Sequence, residues 1–303
     1  MKRFLFLCNI LLFLTITTDK AQFIQKIGNQ ASTEFSFAFI TDIHLQPELR
    51  AIEGFTKAID TINKLNPDFV ITGGDQIIDA NEQTLGRADS LYDLYKRTSK
   101  LLQMPVYNTV GNHELYGTFQ NGVSPDVPMY GKKIFEAKIG KRFQSFKHKG
   151  WKFMILDDID ESEKRKYKGY IDSTELQWVR RELSVTDTKT PIIIILHIPL
   201  ITTITMFEQG ALIGNPEGLV VNNSKELLDL FKEHNLRLVL QGHLHIFEDL
   251  TVHNIRFITG GAISGWKWKG SNKGTKEGFV MVKVKGNKLT CKYINYGWKA
   301  LAN

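Results

Sequence analysis

Cysteine is almost absent. The two in 303 residues are Cys8, inside an apolar N-terminal run, and Cys291 near the end. That excludes a disulfide framework and a thiolate metal site, so any metal must be held by His, Asp, Glu or Asn. Beyond the N-terminus no apolar run reaches the ~20 residues that span a bilayer. Internal repeats, low-complexity tracts and an interdomain linker are missing too. Gly260-Gly261 is followed by neither a helix start nor Lys-Ser/Thr, which excludes a P-loop. Basic blocks are also lacking. The net charge is +7 with a pI near 9.2, but the Lys and Arg residues are scattered. Such a surface suits anionic partners without selecting one, and no stable nucleic-acid partner is expected.

The first 21 residues read as a targeting segment. Lys2 and Arg3 precede the apolar stretch Phe4–Thr17, which is short for a membrane span but right for a signal peptide. Cleavage after Ala21 is expected, giving a secreted or periplasmic protein; an uncleaved anchor is the alternative. Asp19 is an unusual residue so close to the cleavage point.

The rest alternates strand and helix patterns. Strands are expected at 35–41, 68–72, 105–110, 143–148, 151–157, 192–196 and 236–240. Helices are expected at 49–64, 88–102, from Asp172 with Glu175 completing a capping box, and at 224–234 with Ser224 as N-cap. Residues 246–296 read as all-β. This pattern predicts α/β layers with mixed sheets. Long irregular stretches remain at 114–135, 158–171, 200–222 and 262–277, and such loops tend to be functional.

Metal-type residues fall at five expected strand ends: Asp42 and His44, Asp75, Asn112 with His113, His197, and His243 with His245. In open α/β sheets, ligands bind beyond the carboxyl ends of strands. In Asp42-x-His44 and His243-x-His245, residues two apart in extended chain project to one side. The glycines in Gly73-Gly74-Asp75, Gly111-Asn112 and Gly242-His243 allow sharp turns off the strands. Carboxylate, imidazole and amide oxygen suit divalent Mn, Fe, Zn, Co or Ni. Seven donors exceed the need of one ion and suit two that share a carboxylate. Such a pair clamps the oxygens of an in-line displacement and acidifies a bridging water into a hydroxide nucleophile.

The ordered blocks Asp42-Ile-His44, Gly74-Asp75, Gly111-Asn112-His113-Glu114, His197 and Gly242-His243-Leu-His245 resemble the calcineurin-like metallophosphoesterases over about residues 35–297. The resemblance implies a four-layer αββα sandwich of two mixed β-sheets flanked by helices. It implies one metal held by Asp42, His44, Asp75 and His245. A second would be held by Asp75, Asn112, His197 and His243, with Asp75 bridging. His113 would stabilise the transition state or protonate the leaving oxygen. Ile78 stands where purple acid phosphatases carry a tyrosine ligand, and the pattern looks closest to bacterial cyclic-nucleotide-phosphodiesterase-like members. The expected activity is metal-dependent hydrolysis of a small phosphate monoester or diester. The rivals are a two-metal nuclease and a non-catalytic metal- or phosphate-binding protein.

Other polar residues are read more plainly. Glu114, Asp79, Asp157 and Asp158 are expected to support the site rather than ligate, and His148, His234 and His253 to be structural or surface groups. Trp266 and Trp268, alternating with Lys in a glycine-rich loop, would either stack a base or sugar and hold phosphate, or merely cover a sheet edge.

Overall fold

Alternate residues of β1 (Glu34–Ile40) serve two different cores, and that division organises the molecule. The computed structural model describes residues 34–119, 122–162 and 166–301; the segment expected to be a targeting signal, with Cys8, lies outside them. Phe35, Phe37 and Phe39 face one way, into an aromatic layer between two sheets. Ala38 and Ile40 face the other way and belong to the cluster that holds the helices.

The chain continues through α1 (Ala51–Leu65), β2 (Phe69–Thr72), α2 (Leu85–Ser99), β3 (Val106–Tyr107), α3 (Lys133–Lys138), β4 (Gln144–His148) and β5 (Trp151–Ile155). It then runs through β6 (Ile159–Ser162), β7 (Lys166–Gly169), α4 (Ser173–Ser184), β8 (Ile192–Ile195), α5 (Ile204–Gln209), α6 (Ser224–Leu230) and β9 (Leu236–Gln241). Strands β10 (Phe247–Val252), β11 (Ile255–Gly260), β12 (Gly278–Lys285) and β13 (Lys288–Asn295) complete it.

One sheet has the order β13-β12-β1-β2-β3 and the other β10-β11-β9-β8-β5-β4, while β6 and β7 form a separate hairpin. Both large sheets are mixed. β1, β2 and β3 run parallel, as do β5, β8, β9 and β11, and the outer strands run antiparallel. The β-rich tail therefore divides, β10–β11 closing one sheet and β12–β13 the other. This is the expected αββα sandwich. Ile192–Ile195 is fully buried on both faces, as its unbroken isoleucine run requires.

Several boundaries differ from the sequence reading. α1 begins at Ala51 because Leu49 and Arg50 are left-handed. The expected strand 105–110 shrinks to two residues. α6 ends at Leu230, and its N-cap is Asn223 rather than Ser224. Asp172 does cap α4, accepting from the Glu175 N–H at 2.8 Å. The Glu175 carboxylate, however, accepts from the Asp157 N–H at 2.8 Å instead of closing the box. Short elements also occupy three of the loops read as irregular: α3, the β6–β7 hairpin and α5.

Candidate metal centre

All seven expected ligands meet at the carboxyl edge of the two sheets, although the extended-chain reason does not hold. Asp42, His44, Asp75, His243 and His245 have positive φ, between 46° and 70°. The left-handed region is uncommon for side chains of this kind and persists only where the surroundings enforce it. Backbone bonds supply that enforcement, two between the ends of neighbouring β1 and β2 and one across the sandwich to the segment after β11. The Asp42 N–H donates to Gly74 O, the His44 N–H to Asp75 O and the Ile263 N–H to Thr41 O, at 2.9–3.1 Å. His243 and His245 accordingly do not share one side. His245 turns toward Asp42 and His44, and His243 toward His197.

Distances show the convergence. His44 Nε2 lies 3.0 Å from His245 Nε2, which is 3.2 Å from Asp42 Oδ1. His197 Nε2 lies 3.0 Å from Asn112 Oδ1 and 3.3 Å from His243 Nδ1. Between the two groups stands Asp75 Oδ2, 3.6 Å from His44 Nε2 and 3.4 Å from His197 Nε2. Asp75 thus occupies the shared position.

The second atom of several donors is already engaged by protein. Asp42 Oδ2 accepts from Thr41 Oγ1 (2.7 Å) and the His243 N–H (3.0 Å), and Asp75 Oδ1 from the His113 N–H (2.9 Å). His197 Nδ1 sits 2.7 Å from Gly73 O and His245 Nδ1 2.6 Å from Gly265 O. Such bonds fix the outer nitrogen as the donor and turn Nε2 inward, the usual support of a metal-binding histidine. Asp42 Oδ1 is buried and makes no hydrogen bond among the described residues beyond the approaches of His245 Nε2 (3.2 Å) and His44 Nε2 (3.9 Å). This donor set fits divalent cations.

Electrostatics agree with that fit. Burial pushes Asp75 up, but His197, His113 and His44 outweigh it and hold its carboxyl well below the ordinary range. Burial likewise lowers His197, yet Asp75 carries it up to about 10. His243, buried beside His197, falls to about 3, and burial takes His44 well below its ordinary value. A cation held at His197 Nε2 would compete with a proton for that nitrogen.

The surrounding residues act as positioning groups, as expected. Glu114 accepts from the N–H groups of Asp75 (2.8 Å), Gly111 (2.7 Å) and Ile77 (3.2 Å), so it shapes the loops instead of ligating. Burial and the neighbouring Asp75 still raise it to about 8. Asp158 receives the N–H groups of His197 (3.2 Å) and Ile198 (2.6 Å). Asp157 pairs with Lys132 and Arg142. Gly74, at φ 90°, leaves room for His197, whose Nδ1 would lie 2.5 Å from an added Cβ. Gly111 is needed for space: a Cβ there would lie 2.3 Å from Asp75 N.

His113 stands at the open side, Nε2 3.9 Å from Asp75 Oδ2 and Nδ1 3.8 Å from Asp79 Oδ1. Sequence reasoning assigned no role to Tyr167 or, individually, to Lys267. The Tyr167 hydroxyl lies 3.4 Å from His243 Nε2, and Lys267 Nζ 3.4 Å from His113 Nε2. The two tryptophans separate. Trp268 is buried and donates to His44 O at 3.0 Å, whereas Trp266 is half exposed with its ring 5.5 Å from that of His245.

Comparison with known proteins gives a consistent result. The calcineurin-like phosphoesterase family profile matches residues 35–247. The chain is 25% identical to a 3′,5′-cyclic-nucleotide phosphodiesterase of Nostoc sp. over 233 residues, 74% of this chain and 76% of that protein. It is 20% identical over 219 residues to a probable cyclic nucleotide phosphodiesterase of Xenorhabdus bovienii, 68% of this chain and 76% of that one. Among solved structures, a dimetal phosphatase from Danio rerio superposes with a TM-score of 0.59 at 16% identity, covering 87% of this chain and 99% of the other.

Proposed function

The chain belongs to the calcineurin-like phosphoesterase family and is a metal-dependent phosphoester hydrolase, and from that premise we propose that it works with two divalent cations on a small phosphodiester or phosphomonoester. Asp42, His44, Asp75 and His245 would hold one cation, and Asp75, Asn112, His197 and His243 the other. The observation that carries this reading is the position of Asp75 Oδ2 between His44 Nε2 and His197 Nε2, 3.6 and 3.4 Å away. When bound, the cations supply Lewis acidity to the phosphoryl oxygens and lower the pKa of water toward neutrality.

The chain's own residues do the rest. Asp42 and Asp75 provide the negative charge that retains the cations. Gly73 O and Gly265 O orient His197 and His245. His113, on the open side, gives a hydrogen bond or proton to the departing oxygen. The names of the two cyclic-nucleotide phosphodiesterases support a cyclic nucleotide as the first substrate to try.

Asp75→Asn and His197→Ala should lower turnover of p-nitrophenyl and bis-p-nitrophenyl phosphate by roughly a hundredfold or more. Both should keep the wild-type circular dichroism spectrum. Equal rates in wild type and both variants, with Mn added, would sink the assignment. A wild type that binds metal but is inert over a broad phosphoester panel would favour a binding protein.

A further inference from the structure

The loop after β11 carries a cation that the ligand set does not use. Lys267 lies between Trp266 and Trp268 at φ 49°, and Trp268 follows at φ 71°. Two successive left-handed residues, neither of them glycine, need an external constraint. Here the Trp266 N–H donates to Gly270 O (2.7 Å) and the Trp268 N–H to Ser264 O (2.7 Å), closing the loop on itself. Ser264 Oγ donates to Asp42 O (2.7 Å), and Trp268 Nε1 to His44 O (3.0 Å). The Trp268 ring is buried edge-on to Trp298, at 5.8 Å between centroids. The loop is therefore fastened to the backbone of two proposed ligands, and the residue it projects is Lys267.

Its ammonium ends half-buried beside His113, at 3.4 Å, and His113 is its one hydrogen-bonding neighbour among the described residues. No carboxylate among the described residues forms an ion pair with it. Two carboxylates among seven ligands already leave a pair of divalent cations net positive, so another cation close by is repelled unless an anion lies between them. We infer that Lys267 is a substrate-binding residue whose ammonium holds a phosphoryl oxygen on the His113 side of the centre. This rests on the phosphoesterase reading and deepens it, because it assigns this chain a specificity determinant for phosphoryl charge. Lys267 would attract a phosphate monoester dianion more strongly than a diester monoanion such as a cyclic nucleotide, with the same sign for both.

The test compares Lys267→Met and Lys267→Arg with wild type, all loaded with Mn. Inorganic phosphate binding is read by calorimetry, KM and kcat with p-nitrophenyl and bis-p-nitrophenyl phosphate, and metal content by elemental analysis. Lys267→Met should weaken phosphate binding about ten- to a hundredfold, the range for a lost hydrogen bond to a charged group. KM for the monoester should rise similarly and KM for the diester less, with metal content unchanged. Lys267→Arg should restore much of the phosphate affinity. Unchanged phosphate affinity in Lys267→Met, or a loss of bound metal that accounts for the weakening, would overturn the proposal. The calorimetric arm requires no turnover, so an inactive wild type would sink the phosphoesterase reading while still deciding the role of Lys267.

Discussion

β1 and the segment that follows it lie in two regions governed by different physics. Its first residues, Phe35 to Phe39, enter the aromatic layer between the sheets. There Phe37 and Phe69 stack at 5.2 Å and Phe153 meets both rings edge-on at 5.4 and 5.3 Å. A few residues on, Asp42 and His44 are equally buried but left-handed, polar and charged. No residue of the aromatic layer has positive φ, while five of the seven proposed ligands do. The layer therefore supplies stability, and the rim consumes part of it to hold a strained, incompletely paired constellation. If so, damage to the layer should lower stability without altering the chemistry, and damage to the rim should do the reverse.

The largest effect on stability is expected inside the layer. Phe153 touches Phe35, Phe37, Phe69 and Phe146, stacking on the last at 4.8 Å. Phe153→Ala should lower unfolding free energy by about 3–5 kcal/mol, measured by urea denaturation. Metal content and KM should stay at wild-type values wherever the variant remains folded. Phe153→Leu, expected to lose less, keeps the comparison available if the alanine variant does not accumulate. A large change in KM with little loss of stability would erase the distinction between the regions.

An intermediate effect is expected where the regions join. Trp268 packs like a core residue yet donates to His44 O and fixes the loop bearing Lys267. Trp268→Phe keeps most of the packing and removes the donor. Stability should fall by about 1 kcal/mol. Turnover should fall roughly tenfold or more, as for groups that orient metal ligands. Full activity with reduced stability would make Trp268 a core residue only.

The same comparison explains what was legible in the sequence. The layer follows alternation and strand-forming residues: FSFAFI and IIII have few other uses. The five site blocks were legible because Asp, His and Asn recur at strand ends, where a structural role rarely collects them. The geometry was less so. Asp42-x-His44 converges through left-handed backbone, which sequence spacing does not encode. Lys267 is one lysine among many, and only the closed loop around it sets its aim. Tyr167 lies on a polar hairpin, IDES to KYKG, with too few apolar residues to announce strands. Glu175 had the capping-box spacing, but the unpaired Asp157 N–H drew its carboxylate away.

The smallest effect is expected at the opposite end of the sandwich, where charge serves stability alone. Asp68 accepts from the Ser36 N–H at 3.0 Å, with Lys149 Nζ 2.8 Å and His148 Nε2 3.3 Å from its other oxygen. Burial raises its pKa, but Lys149, the Ser36 N–H and His148 outweigh that and bring it below the ordinary value. A carboxylate depressed on folding stabilises the native state above its unfolded pKa, and that contribution fades as pH falls through the folded value. Asp68 is about one-quarter exposed and Lys149 nearly half, so solvent screening keeps the effect small. Asp68→Asn should therefore reduce stability by roughly 0.5–1 kcal/mol at pH 7. The difference from wild type should shrink with added salt and close as the pH drops below about 4. Phosphate affinity and turnover should not change, since the pair lies at the amino end of β2 and the centre at its carboxyl end. A stability difference that persists unchanged at low pH would assign the role of Asp68 to the Ser36 hydrogen bond and not to its charge.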